Sequence, residues 1–318
     1  MSRTMLNMKY RLRRTGRPFT KDFQIYFERD DDGVPVSPCH DIPLFADEYG
    51  GKVLNMVVEI PRWTNAKFEI SRSKSLNPIG QDILDGNPRF TTSCFPYKGY
   101  LWNYGALPQT WEDPHSKHPD TGAKGDNDPL DACEIGQKIA QTGDVKQVKA
   151  LGVLGLLDNG ETDWKVMVID VTDPLAENLH DIGDVEKHLP GLLDATRDWF
   201  RIYKVPDGDL PNEYALGGGF QDKKYADSVI NDCSDAWKRL VSGKAKFGKI
   251  SLDNTTLEGT PGKLDPNKVK LPPDEDLTPA PIEQDLGEWF FVDRDSLESS
   301  ATASLDNSRL RIVLELEE

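Results

Sequence analysis

Asp126, Asp128 and Asp131 stand within the segment Gly125-Asp126-Asn127-Asp128-Pro129-Leu130-Asp131, at i, i+2 and i+5. Like charges packed this closely repel one another unless a cation joins them. Carboxylate oxygens at such spacing suit hard divalent ions, and Mg²⁺ is the commonest of these beside phosphate. An EF-hand does not fit. Counted from Asp126, its position 5 falls on Leu130 and its position 6 on Asp131, where that loop needs an oxygen ligand and a glycine. Pro129 pushes Asp128 toward an extended backbone. In an extended segment Asp126 and Asp128 project to the same side. The competing structural reading is an acidic surface turn, because Asp-Pro is common in turns.

Two other clusters carry charge at regular spacing. In Asp158-Asn159-Gly160-Glu161-Thr162-Asp163-Trp164-Lys165 the Asn-Gly pair signals a hairpin, with Asp158 and Asp163 flanking the turn. Asp163 and Lys165 share one strand face, and Trp164 and Val166 the other. Taken by itself, this cluster reads as a solvated face with a surface ion pair. Between Glu59 and Glu69, Lys67 and Glu69 alternate with Phe68 and Ile70. Arg89, Tyr104, Tyr203 and Lys204 are further candidates, each by itself a surface cation or a phenol at the edge of a core. The five histidines show no metal-ligand spacing, which leaves a catalytic zinc or a Ser-His triad without support. No Walker-type phosphate loop occurs.

The elements that must hold these residues are mostly strands. Residues 53–60, 68–70, 148–157 and 164–171 are rich in β-branched or aromatic side chains. Two helices follow. One opens at Pro190 and runs to about Tyr203, and the other runs from about Asp222 to Ser242. The second carries Ala226, Val229, Ile230, Cys233, Ala236, Trp237, Leu240 and Val241 at helical spacing. Many short strands followed by two helices point to a barrel or sheet with helices packed outside. Residues 1–21 read as a solvated basic arm, and residues 22–294 as one folded body. Within that body the Pro-rich stretch 252–287 reads as an extended strap, with Trp289, Phe290 and Phe291 as its anchor. Residues 295–318 read as a flexible tail.

The chain has 318 residues, with 38 Lys and Arg against 54 Asp and Glu, a formal net charge of −16. A body this acidic is repelled by phosphate backbones, which argues against nucleic acid as a partner. A small polyanion can still bind through metals and a local basic cluster. The four cysteines are scattered without a C-x-x-C pair, as in a reduced cytosolic protein. No run has the apolar length of a membrane span, so no membrane partner is expected. The basic start resembles a mitochondrial presequence in composition. A cytoplasmic location is the reading adopted.

Several long segments, in this order, carry a resemblance: VVEIPRWTNAKFEI (57–70), LNPIGQD (76–82), FPYKGYLWNYGALPQTWEDP (95–114), GDNDPLDACEIG (125–136), GETDWKV (160–166) and WFRIYKVPDG (199–208). The chain resembles the soluble inorganic pyrophosphatases of eukaryotic type, over most of residues 20–294. The resemblance implies an α+β fold: an OB-like five-stranded β-barrel, mainly β, with two packed helices. It implies Mg²⁺-dependent hydrolysis of pyrophosphate to two phosphates by a homodimer, with several ions per site and Mn²⁺ as a possible substitute. Asp126, Asp131 and Asp163 then look like metal ligands, and Asp158 joins Asp163 at a further ion. Glu59 and Glu69 line the same cavity. Asp128 looks like the acid/base beside the attacking water. Lys67, Arg89, Tyr203 and Lys204 look like phosphate contacts, with Tyr104 and Lys165 beside them. Two other functions compete: a metal phosphohydrolase acting on nucleotides or polyphosphate, and an interaction subunit that uses the tail from residue 295.

Overall fold

The computed structural model describes residues 9–46, 53–246, 248–282 and 284–293. In chain order the strands begin with β1 (Tyr10–Thr15), β2 (Gln24–Arg29), β3 (Pro35–Val36), β4 (Leu54–Ile60), β5 (Phe68–Ile70) and β6 (Ile79–Gln81). Next come β7 (Ile83–Leu84), β8 (Asn87–Pro88), β9 (Asn103–Ala106), β10 (Asp131–Glu134), β11 (Val145–Asp158) and β12 (Glu161–Asp170). The helices are α1 (Ile182–His188), α2 (Leu192–Ile202) and α3 (Lys223–Val241), and the short β13 (Glu213–Tyr214) lies between α2 and α3.

Five strands close into a ring. The order is β12-β10-β9-β4-β11, and β11 pairs again with β12. The β10–β12 ladder is parallel and the others in the ring are antiparallel. This is the expected five-stranded barrel. A closed ring leaves no long edge free to pair with another chain. Its wall is buried on both sides, which explains why β4, β11 and β12 read as nearly continuous apolar runs rather than alternating ones. On one side Met56, Val58, Val153, Trp164 and Val166 pack against Ala226, Val229 and Ile230 of α3. On the other, Val57, Leu154, Leu156 and Met167 pack with Trp199, Phe200 and Tyr203. The β11–β12 turn is the Asn-Gly hairpin read from the sequence. Asp158 is paired with Glu161, and Asn159 and Gly160 both have positive φ, 51° and 81°. Gly105 lets β9 approach β4, because a Cβ there would meet the Val57 carbonyl oxygen at 2.0 Å.

Three expectations need correction. First, residues 10–15 of the supposed basic arm form β1, paired with β2 in a second sheet of order β1-β2-β6-β5. Glu28 neutralises two of the arm's arginines, Arg11 at 2.9 Å and Arg13 at 2.7 Å. The Pro-rich strap lies along the outer side of β1: Glu275 N–H donates to Arg14 O, and Arg14 N–H to Asp274. The strap and Glu28 together supply the partners that an isolated arm lacks. Second, the described residues hold three α-helices rather than two. The extra one, α1, is held by a reciprocal capping box between Asp181 and Asp184, and it buries Val185 with no apolar stripe to announce it. Third, α2 starts at Leu192 rather than Pro190, because Gly191 at φ 83° caps it. α3 matches its expected span, with Asp222 accepting the Tyr225 N–H. Phe290, just after the strap, is bound to the body through Ser93 and Phe95. Residues 295–318 lie outside the described residues, as do residues 1–8.

Candidate active site

The ring and the second sheet deliver their charged residues into one cavity of about 280 Å³. All thirteen residues singled out from the sequence line it: Glu59, Lys67, Glu69, Arg89, Tyr104, Asp126, Asp128, Asp131, Asp158, Asp163, Lys165, Tyr203 and Lys204. β4 ends in Glu59 and Ile60, β9 carries Tyr104, β10 starts with Asp131, and β12 carries Asp163 and Lys165. Parallel pairing sets Asp131 opposite Lys165. Lys67 and Glu69 come from β5 and the residue before it. Tyr203 and Lys204 follow α2, which is locked to the barrel by aromatic packing. Trp102 stacks on Phe200 at 4.8 Å, and Trp102 and Trp199 find acceptors in Thr196 and the Gly99 carbonyl. Such aromatic pairs add about 0.5–1.5 kcal/mol beyond their buried area.

The acidic segment is not extended, as the sequence reading had it. The Asp128 N–H donates to the Asp126 carboxylate at 2.9 Å, closing a side-chain turn, and Asn127 takes φ 74°. Asparagine tolerates that left-handed backbone and Asp side chains readily close such turns, which outweighs the extended preference imposed by Pro129. The bend separates the three acids. The Asp128 carboxylate meets Arg72 at 3.2 Å. Asp126 faces Glu112 and Asp163, with one oxygen of each lying within 4.8 Å of the others. Asp131 accepts from Tyr104 OH and from Lys165 Nζ, both at 2.5 Å.

Lys165 also meets Asp163 at 2.5 Å, and its side chain is 2% exposed. This pair is therefore not on a solvated face, as the residues alone had suggested. The other cations are paired as well. Lys67 bridges Glu69 at 2.6 Å and Asp82 at 3.2 Å. Arg89 bridges Asp82 at 3.3 Å and Asp207 at 2.8 Å. Lys204 meets Asp158 at 2.6 Å, and Tyr203 OH donates to the same carboxylate at 3.2 Å. Glu59 accepts the Ile70 N–H at 2.7 Å.

Crowding sets the proton affinities. Burial pushes Asp126 well above the usual carboxylate range, and Asp163, Asp128 and Asp131 add to it. Burial lifts Asp128 to about 7 against the lowering charge of Arg72. It lifts Asp163 to about 7 as well, against Lys165. Glu59 and Glu112 are pushed well up by burial and then by neighbouring acids. Burial opposes the Lys165 charge, but Asp131 and Asp163 outweigh it and hold the ammonium well above its ordinary value. Tyr104 and Tyr203 are raised by burial first, then by Asp131 and Asp158 respectively. These acids lack cations enough to satisfy them all, which is the chemistry of a metal-binding wall. One oxygen of Glu112, Oε2, is buried with no hydrogen-bond partner. An all-oxygen donor set of this kind fits a hard divalent ion.

Arg72, Asp82, Glu112 and Asp207 were missed as site residues. Asp82, Glu112 and Asp207 lie inside the quoted segments LNPIGQD, FPYKGYLWNYGALPQTWEDP and WFRIYKVPDG, where acids were the available signal. Arg72 falls just after one.

Comparison with known proteins agrees with this architecture. A family model described as inorganic pyrophosphatase matches residues 56–238. A curated inorganic pyrophosphatase of Emericella nidulans is 59% identical over 286 residues, covering 90% of this chain and 98% of that one. One from Neurospora crassa is 56% identical over 285 residues, covering 89% and 97%. The solved inorganic pyrophosphatase of Schistosoma japonicum superposes with a TM-score of 0.79 at 43% identity, over 89% of this chain and all of that one. An N-terminally truncated vacuolar soluble pyrophosphatase of Trypanosoma cruzi, solved in complex with PPi, gives 0.68 at 41% identity, over 76% and 94%. A closed five-stranded barrel, a cavity of paired cations and crowded acids, and relatives matched over nearly their whole length place this chain in the inorganic pyrophosphatase family, among its soluble eukaryotic members.

Proposed function

We propose that the chain hydrolyses inorganic pyrophosphate to two phosphates with Mg²⁺ as its metal and Asp128 as the group that takes the proton of the attacking water. The observation that carries the reading is the juxtaposition of crowded carboxylates and five cations in one small cavity. Asp126, Asp131, Asp158, Asp163, Glu59 and Glu69 are the oxygens available to divalent ions. Bound Mg²⁺ neutralises charge on the phosphoryl oxygens and makes water more acidic. Mn²⁺ is a substitute of similar ligand preference.

The remaining work belongs to the chain. Lys67, Arg89, Lys165 and Lys204, with the phenols Tyr104 and Tyr203, present donors to the oxygens of the two phosphate groups. Their acid partners hold them in place, so little reorganisation is needed when charge develops. The water oxygen forms a bond to one phosphorus, the bridging P–O bond breaks, and the water's proton passes to a carboxylate oxygen of Asp128. Burial sets that carboxyl at about 7, which suits a base working near neutrality. Arg72 orients it from the mouth of the cavity.

Phosphate release from pyrophosphate by the purified chain, with Mg²⁺ and with EDTA, tests the reading. Mg²⁺-dependent release is expected. Release from nucleotides or polyphosphate in preference to pyrophosphate would replace it with the broader phosphohydrolase. A homodimer in the cytoplasm belongs to the same proposal and rests on the family. Among the described residues no helix is long and apolar enough to cross a membrane. The rival interaction subunit rests on residues 295–318, which lie outside the described residues.

A further inference from the structure

Glu112 stands apart from the acids that the resemblance assigns. It belongs to the segment between β9 and β10, and it is tied to the acidic loop through its own backbone. Its N–H donates to Asp128 O at 2.9 Å, and its carbonyl accepts from Asn127 N–H at 3.0 Å. Next to it, Trp111 Nε1 donates to the Asn127 side chain at 3.0 Å. The contact is so close that a Cβ on Gly125 would meet the Glu112 carbonyl carbon at 2.4 Å, so glycine is required there. The Glu112 side chain then turns inward. Oε1 accepts the Trp164 N–H at 3.0 Å. Oε2 is buried without a partner, in a residue only 3% exposed, and the carboxylate stands with Asp126 and Asp163 in a group whose oxygens lie within 4.8 Å.

A buried acceptor left without a donor costs about 1–3 kcal/mol, and more when charged. A backbone clamp that fixes such a group beside two other carboxylates calls for a compensating positive charge. Opposed oxygens around Mg²⁺ are separated by about 4.2 Å, twice its bond length of about 2.1 Å. Adjacent oxygens stand about 3.0 Å apart, so the three carboxylates, now within 4.8 Å of one another, would draw together to share one ion.

We propose that Glu112, which stands beside this cavity rather than among its lining residues, is a further metal-holding residue, contributing its free oxygen to the divalent ion held by Asp126 and Asp163. This rests on the metal-dependent reading of the site. It adds a carboxylate from a segment that otherwise carries no chemistry, and it makes the 110–113 segment both the clamp of the acidic loop and part of the ion's cage.

Calorimetric titration of Mg²⁺ into the substrate-free protein is the test, with melting temperatures in EDTA and in Mg²⁺ recorded alongside. Gln is isosteric with a protonated Glu. Glu112→Gln is expected to weaken Mg²⁺ binding about tenfold or more. It should also shrink the metal-induced rise in Tm while leaving the Tm in EDTA unchanged or higher. Wild-type Mg²⁺ affinity in the folded Gln variant would overturn the proposal and make Glu112 a neutral core acid. Should the Gln variant not fold, Glu112→Asp keeps the charge but retracts it. Weakened binding there supports the role, and wild-type binding overturns it. Asp126→Ala serves as the reference. If it loses Mg²⁺ affinity while the Glu112 variants keep theirs, the metal site stands and Glu112 is not part of it. If Asp126→Ala also binds normally, the metal reading of this wall fails as a whole.

Discussion

The cavity has two flanks built on opposite principles. On one, each cation has its acid: Lys67 with Glu69 and Asp82, Arg89 with Asp82 and Asp207, Lys204 with Asp158. On the other, acids face acids: Asp126 and Asp163 crowd together with Glu112, which stands beside the cavity, and Lys165 pairs with Asp163. The first flank is finished before any ligand arrives. Its salt bridges hold donors at fixed positions, as a polyanion needs. The second is incomplete as a set of protein groups, because desolvation and mutual repulsion hold its carboxyls partly protonated. The difference assigns the ligands by charge: the paired flank receives phosphate oxygens and the acidic wall receives cations. Asp128 stands where they meet, tied to Arg72 on one side and chained to Asp126 on the other.

That position makes Asp128 the place where the comparison breaks most easily. Asp128→Asn keeps the shape and the hydrogen bond to Asp126 but cannot take a proton. General-base catalysis contributes about 10²–10⁴-fold. We expect kcat at saturating Mg²⁺ to fall at least about 100-fold, with the near-ultraviolet circular dichroism unchanged. A near-normal kcat would move the proton acceptor elsewhere on the acidic wall.

The paired flank is tested next, with a smaller effect. The Arg89 guanidinium spans Asp82 and Asp207 with two different nitrogens. A lysine has a single charged nitrogen and cannot reproduce that fork. Arg89→Lys is expected to raise KM for pyrophosphate about tenfold, consistent with the loss of one hydrogen bond to a charged group, while kcat changes less. If kcat falls and KM holds, Arg89 acts on the transition state alone, and the flank does more than dock substrate.

Much of this contrast was legible in the sequence, for identifiable reasons. The barrel strands announce themselves because a wall buried on both sides demands unbroken apolar runs, as in β4 and β12. The hairpin at Asn159-Gly160 and the stripe of α3 are local signals that tertiary structure did not override. Eleven of the thirteen site residues sit in long matched segments, Arg89 and Asp158 lie between them, and the structure brings all thirteen to one cavity. What escaped was non-local. β1 looks like a basic arm until Glu28 and a strap some 260 residues away supply its partners. The bend at Asn127 depends on a side chain bonding to backbone rather than on the proline beside it. Glu112 is an ordinary acid in the chain and becomes informative when folding buries one of its oxygens without a partner and sets the carboxylate beside two others.

The smallest expected effect sharpens the contrast from the acidic wall and needs no substrate. Asp163 has an ordinary value of 3.8 and is lifted by burial to about 7, and Asp126 and Glu112 are also raised. A carboxyl raised in the folded state keeps its proton where the unfolded chain has lost it. Between about pH 4 and pH 7 the folded protein therefore holds more protons, and stability must fall as pH rises through that window. In EDTA, the Tm is expected to drop by several degrees from pH 5 to pH 7.5, a few degrees corresponding to about 1 kcal/mol in a chain of this size. Mg²⁺ should reverse the trend, because a metal competes with those protons and binds best when they are gone. The metal-induced rise in Tm should thus be larger at pH 7.5 than at pH 5. The paired flank predicts the opposite slope. Asp82, exposed to burial but outweighed by Lys67 and Arg89, is lowered from its ordinary 3.8, and it contributes stability that disappears as pH falls toward and below that value. A metal-free Tm that climbs steadily from pH 4 to pH 7.5 would mean that salt bridges, not crowded acids, dominate the cavity's electrostatics.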